Sequence, residues 1–98
     1  MSKEIFTLVE FKLKDWVKIE EWKVMSDSIN ELLSGVSGFQ FRDSATDENG
    51  NVYCILKWDS ESHSKEFDKI LEGKPEMIEE FEKFINMETM KMKNLSVI

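Results

Sequence analysis

The sequence has one cysteine, one histidine and one proline among 98 residues. Cys54 therefore has no intrachain partner for a disulfide, and a lone thiol in an apolar run suits a reducing cytoplasm. One histidine and one cysteine, far apart in sequence, match no zinc-ligand spacing. Positive charge is also scarce. Thirteen Lys and Arg against twenty Asp and Glu leave a net charge of −7, which disfavours nucleic acid and anionic membrane surfaces. No apolar run reaches the length of a membrane span, and residues 1–11 contain no apolar core of a secretory signal. There is no glycine-rich phosphate loop, repeat or low-complexity tract.

What is present is core material. Seven Phe, three Trp and six Met, in a chain that is 41% hydrophobic, mark a folded protein that reads as one domain over residues 1–98. A chain this size buries roughly 60–70% of its unfolded surface, so a large internal cavity is hard to build within one subunit.

Residues 35–58 organise the chain. Phe39 to Arg42 reads as a strand, Asp43 to Asn51 as a polar loop with Asn49-Gly50 available for positive φ, and Val52 to Trp58 as a returning strand. Simple alternation puts Phe39 and Phe41 on one face, with Gln40 and Arg42 on the other. In the returning strand Val52, Cys54, Leu56 and Trp58 share one face and Tyr53, Ile55 and Lys57 the other, so both faces are partly apolar.

Upstream, residues 4–13 alternate, with Ile5, Thr7, Val9, Phe11 and Leu13 toward the core. A helix capped by Asp15 carries Ile19, Trp22, Met25, Ser26, Ile29, Leu32 and Leu33 at three- and four-residue steps, and Gly35 is its expected left-handed stop. Trp16, off that stripe, is expected to cover a sheet edge. Downstream, Asp59 or Ser60 caps a second helix, which Gly73 and Pro75 break in two. Its second half carries the stripe Met77, Ile78, Phe81, Phe84 and Ile85. Residues 87–98 form an edge strand whose lysines discourage stray pairing.

The order β-α-β-β-α-β predicts an α+β, ferredoxin-like fold with a four-stranded antiparallel sheet. Both helical regions then lie on one face. The opposite face, with Phe6, Leu8, Tyr53 and Ile55, calls for a second copy of the chain, giving a homodimer. The same topology serves RNA-binding domains, but residues 51–58 lack the aromatic and basic pattern those need.

Gly38-Phe39 after an amphipathic helix, and a hydrophobic strand ending in Lys57-Trp58-Asp59-Ser60, resemble the antibiotic biosynthesis monooxygenase domain. Ser37 stands where that family commonly has Pro, Lys57 takes its basic position, and Phe67 matches its helix Phe. The resemblance implies a cytoplasmic dimeric α+β barrel with a pocket between helices and sheet. It also implies oxidation of a small phenolic or quinol-like aromatic by dioxygen, with no metal or flavin cofactor. The alternative is a non-catalytic small-molecule-binding or assembly protein of the same fold. Haem-degrading relatives need an Asn on strand one, a Trp near Phe67 and a His near Met77, and this sequence has none of them there.

On this resemblance His63 is the candidate catalytic base, and Trp58, Phe67, Met77 and Asn30 are the candidate ligand-binding residues. Each has a plainer role to weigh against it. His63 can be a solvated helix-start residue, Trp58 core, Asn30 a solvated side chain, and methionines gap filler.

Overall fold

The computed structural model describes residues 3–98. Its elements are β1 (Ile5–Leu13), α1 (Ile19–Leu33), β2 (Phe39–Thr46), β3 (Asn51–Trp58), α2 (Glu61–Glu72), α3 (Pro75–Phe84) and β4 (Ile85–Ser96). The strands make one antiparallel sheet in the order β2-β3-β1-β4. This is the ferredoxin-like βαββαβ topology, with the second helix divided in two. Pro75 sits in the first turn of α3, where its missing amide is not needed.

The core is the layer between the helices and one sheet face. Ile5, Phe11, Val52, Cys54, Leu56, Trp58 and Ile85 of the sheet meet Trp22, Leu33 and Phe67 of the helices. β3 shows strict alternation, with Val52, Cys54, Leu56 and Trp58 buried and the residues between them half-buried. Each large side chain buried there contributes about 1.5–3 kcal/mol.

Several expected boundaries move, each for a local reason. β2 runs on to Thr46 instead of ending at Arg42, because Asp43 to Thr46 pair with Ile55 to Val52. Backbone pairing carries these polar residues as a strand despite their low strand propensity. The turn is thereby reduced to residues 47–50. Asp47 holds it together: its carboxylate accepts from the backbone amides of Asn49 and Asn51, from Asn51 Nδ2 and from Tyr53 Oη, at 2.9–3.0 Å. These bonds, led by Asn51, hold the carboxyl at about 2, below its ordinary 3.8. Gly50 supplies the positive φ of 81°.

α1 starts at Ile19, not after Asp15. The segment before it folds into a turn, with Val17 N–H donating to Lys14 O at 2.9 Å. Lys18 then takes the cap position, its amide donating to Glu21 Oε1 at 3.3 Å. Gly35 is not left-handed. Ser34 caps α1, and the left-handed glycine is Gly38, with φ of 80°. Ile85 opens β4 instead of closing the helix, pairing with Leu13. Trp16 covers no sheet edge: it is 73% exposed, with Lys14 Nζ 5.4 Å from its ring.

The largest correction concerns faces. β2 slips by one residue between Phe39 and Phe41: Phe39 pairs with Trp58, and Phe41 with Lys57. Gln40 is the extra residue of this bulge, and its amide donates to Glu4 Oε2 and to Asp59 Oδ1. Side-chain parity reverses beyond it. Phe41 turns to the sheet face away from the helices and meets Phe6 edge-on, with ring centroids 6.3 Å apart. Arg42 turns toward α1. The outer face thus carries Phe41, Lys57, Phe6 and Leu95 in one row and Asp43, Ile55, Leu8 and Lys93 in the next.

Candidate functional site

Strand pairing aligns the helix-facing residues in rows. One row holds Phe39, Trp58, Ile5 and Ser96, and the next holds Arg42, Leu56, Thr7 and Asn94. The two lie two residues apart along β1, β3 and β4, about 7 Å, and three apart along β2, where the bulge intervenes.

The first row carries an aromatic wall. Trp58 is 1% exposed and lies 5.5 Å from Phe39 and 5.6 Å from Phe67, measured between ring centroids. Its indole Nε1 is buried and finds no acceptor among the described residues. Such an orphan donor costs about 1–3 kcal/mol unless another group satisfies it.

The second row carries polar groups where the core would ordinarily be apolar. Thr7 and Ser64 are both buried. Thr7 Oγ1 donates to Asn94 Oδ1 at 2.8 Å and stands 3.4 Å from Ser64 Oγ. Above them opens a cleft of about 150 Å³ between α2, β1 and the β4 edge, lined by Thr7, Ser64, Asp68, Met92, Lys93 and Asn94. Partial burial, and then the charge of Glu72, push the Asp68 carboxyl up from its ordinary value. Typical ligand sites run to about 300–1,000 Å³, so this cleft suits a single small ring.

At the other end of the same row, Arg42 is held by neutral groups. Its Nη1 donates to Ser26 Oγ at 2.6 Å and Asn30 Oδ1 at 2.9 Å, and its Nη2 to Cys54 Sγ at 3.4 Å. The chain's single arginine thus ties β2 to α1.

Of the residues expected at a site, Trp58 and Phe67 come together in the aromatic wall. His63 is half-buried at the start of α2, its Nδ1 2.8 Å from Ser60 Oγ and its ring against Gly38. Asn30 is exposed on α1 and accepts from Arg42. Met77 is half-buried near the start of α3. None of these five lines the polar cleft or the larger open one of about 360 Å³ near the β2–β3 turn. The polar trio escapes sequence reading because residues 7, 64 and 94 meet only through strand register. The one available signal was a threonine on an otherwise apolar core face.

Among the described residues no three His, Cys, Asp or Glu side chains converge as a metal would require, and no helix is long and apolar enough to cross a membrane.

No protein-family model and no curated protein matches this chain. Solved structures match it in fold. SnoaB, a cofactor-independent oxygenase from Streptomyces nogalater, superposes with a TM-score of 0.77 at 11% identity, covering 98% of this chain and 94% of its own. A Nitrosomonas europaea protein named by inference as an antibiotic biosynthesis monooxygenase gives 0.81 at 11% identity, covering 100% and 93%. A dimeric protein of unknown function and ferredoxin-like fold from Bacteroides fragilis gives 0.66 at 18%, covering 97% of each chain. The chain has the fold of the antibiotic biosynthesis monooxygenases. At these identities the likeness is one of fold.

Proposed function

We propose that this chain is a homodimeric, cofactor-independent oxygenase of a small hydroxylated aromatic. The substrate would lie in the helix–sheet layer beside Trp58 and Phe67. The observation that carries the reading is the polar cleft of Thr7, Ser64 and Asn94, one strand row from that aromatic wall. SnoaB, which has this fold, is described as a cofactor-independent oxygenase.

The chemistry asks little of the protein. The substrate supplies the electrons, one atom of dioxygen enters the ring, and the other leaves as water with the two hydrogens that the substrate loses. The protein must bind the ring, accept the hydroxyl proton, stabilise the anion and exclude bulk water. Two groups are available for the proton: His63 through Nε2, since Nδ1 is engaged with Ser60, and Asp68 at the cleft.

The outer sheet face, with Phe6, Phe41, Leu8, Ile55 and Leu95, supports pairing with a second copy. The dimeric relative of the same fold supports it further.

Oxygen uptake tests the reading. The panel is catechol, hydroquinone and a dihydroxynaphthalene, with labelled dioxygen to follow the incorporated atom. The expectation is uptake and single-atom incorporation with a one-ring substrate. Absence of uptake across the panel, with ring binding intact, would leave a binding protein of the same fold.

A further inference from the structure

We infer that a second copy of the chain stacks on the outer sheet face with the two-fold axis along the strands, so that Asp43 of each subunit pairs with Lys93 of the partner subunit. This rests on the homodimer proposed above and adds the orientation of the partner and the charges that select it.

Strand pairing sets the outer face in rows that run from the β2 edge to the β4 edge. Phe41, Lys57, Phe6 and Leu95 form the first row, and Asp43, Ile55, Leu8 and Lys93 the second. Ala45, Tyr53, Glu10 and Lys91 form the third. The second row has two half-buried apolar residues in the middle and opposite charges at its ends. Asp43 and Lys93 are exposed, and neither is in an ion pair among the described residues. Three strand spacings separate them, about 14 Å, so they cannot pair within one sheet. The other charges in these rows have closer company. Lys57 Nζ lies 3.6 Å from Glu4 Oε2, and Glu10 and Lys91 are cross-strand neighbours of opposite sign.

Two identical sheets with nearly aligned strands can stack in two symmetric ways. An axis parallel to the strands turns each row end for end and lays it on its own copy. Asp43 then faces the partner's Lys93, Ile55 faces the partner's Leu8, and Phe41 faces the partner's Leu95. Both charged positions meet opposite charge, and the apolar positions meet apolar ones. Phe41 and Leu95, each 40% exposed in the single chain, are covered. An axis across the strands instead sets β2 on β2 and β4 on β4. Lys91 and Lys93 of the two copies then crowd together, and Asp43 meets a β2 whose outer residues, Phe41, Asp43 and Ala45, include no cation. Like charges brought together in an interface are unfavourable, so charge selects the first arrangement. Stacked sheets stand about 10 Å apart, a gap that the long lysine side chain spans to reach an aspartate.

The test measures the dimer dissociation constant by sedimentation for the wild type, Asp43→Lys, Lys93→Glu and the chain carrying both changes, with circular dichroism to show that each folds. Each single exchange replaces two opposite pairs by two like ones and should weaken the dimer about tenfold. The double exchange restores opposite charge at both contacts and should return the constant to within about threefold of wild type. Should an exchange fail to fold, Asp43→Asn or Lys93→Gln takes its place, each expected to weaken the dimer about threefold. A wild-type dimer that either single change leaves unweakened overturns the pairing, as does a double exchange that recovers nothing. Both of those results leave the homodimer standing. A wild-type mass of one chain at micromolar protein overturns the homodimer and the pairing together.

Discussion

The imidazole of His63 fills the space that a side chain on Gly38 would need. Gly38 also has φ of 80°, and its carbonyl accepts from Asp59 N–H at 2.8 Å. This glycine locks the start of β2 to the start of α2. Gly38→Ala should destabilise the fold by about 2 kcal/mol from positive φ alone, with the clash adding to that. Removing the ring by His63→Ala in the same chain should recover the clash and not the φ cost. Urea unfolding of the four proteins measures the coupling; strict additivity would show that the ring and the glycine do not oppose each other.

Arg42 bridges β2 and α1 through Ser26 and Asn30. Arg42→Leu should cost about 1.5–3 kcal/mol, the range for hydrogen bonds to a charged group. Arg42→Lys should not restore it, because an ammonium cannot reproduce the planar fork. Wild-type stability in Arg42→Leu would refute the bridge.

Asp47 closes the β2–β3 turn as a carboxylate. Its pKa is about 2 against 3.8, so folding favours the charged form. The contribution is present above the unfolded value and is lost as pH falls from about 3.8 toward 2. Carboxyl NMR should place its midpoint near the lower figure. Asp47 also holds the Tyr53 phenol above its ordinary pKa through their hydrogen bond. Asp47→Ala should lower the Tyr53 midpoint in an ultraviolet titration and speed amide exchange at Asn49 and Asn51. An unmoved Tyr53 titration would contradict the assigned contact.

The bulge at Gln40 puts Phe41 beside Phe6 on the outer face. Phe41→Glu with Phe6→Glu should convert a dimer to monomers in sedimentation at micromolar protein, with the far-ultraviolet circular dichroism unchanged. A wild-type mass of one chain would remove the dimer proposal altogether.

Asp68 should behave as a site residue that costs stability. Folding raises its pKa, so its ionisation opposes the folded state increasingly as pH rises through the unfolded value to the folded one. Asp68→Asn should therefore raise the melting temperature at neutral pH, and the gain should vanish in acid. A lower melting temperature at neutral pH would show that the carboxylate is a net structural partner.

The sequence by itself determined the order of elements, the alternation of β3 and the break before Pro75. Each depends on neighbours in the chain: a period of two, a period near 3.6, or a residue lacking an amide. The family resemblance singles out Trp58 and Phe67, and the fold sets their ring centroids 5.6 Å apart. Tertiary structure decided the rest. One bulged residue reversed the parity of Phe41 and Arg42, since a shift of one in a strand exchanges its faces. Asp43 to Thr46 became strand because β3 offered backbone partners that local propensity does not register. Thr7, Ser64 and Asn94 came together because antiparallel register sets residue 7 beside residue 94 and α2 crosses above them. No local pattern connects those three positions, so the polar cleft exists only in the folded chain.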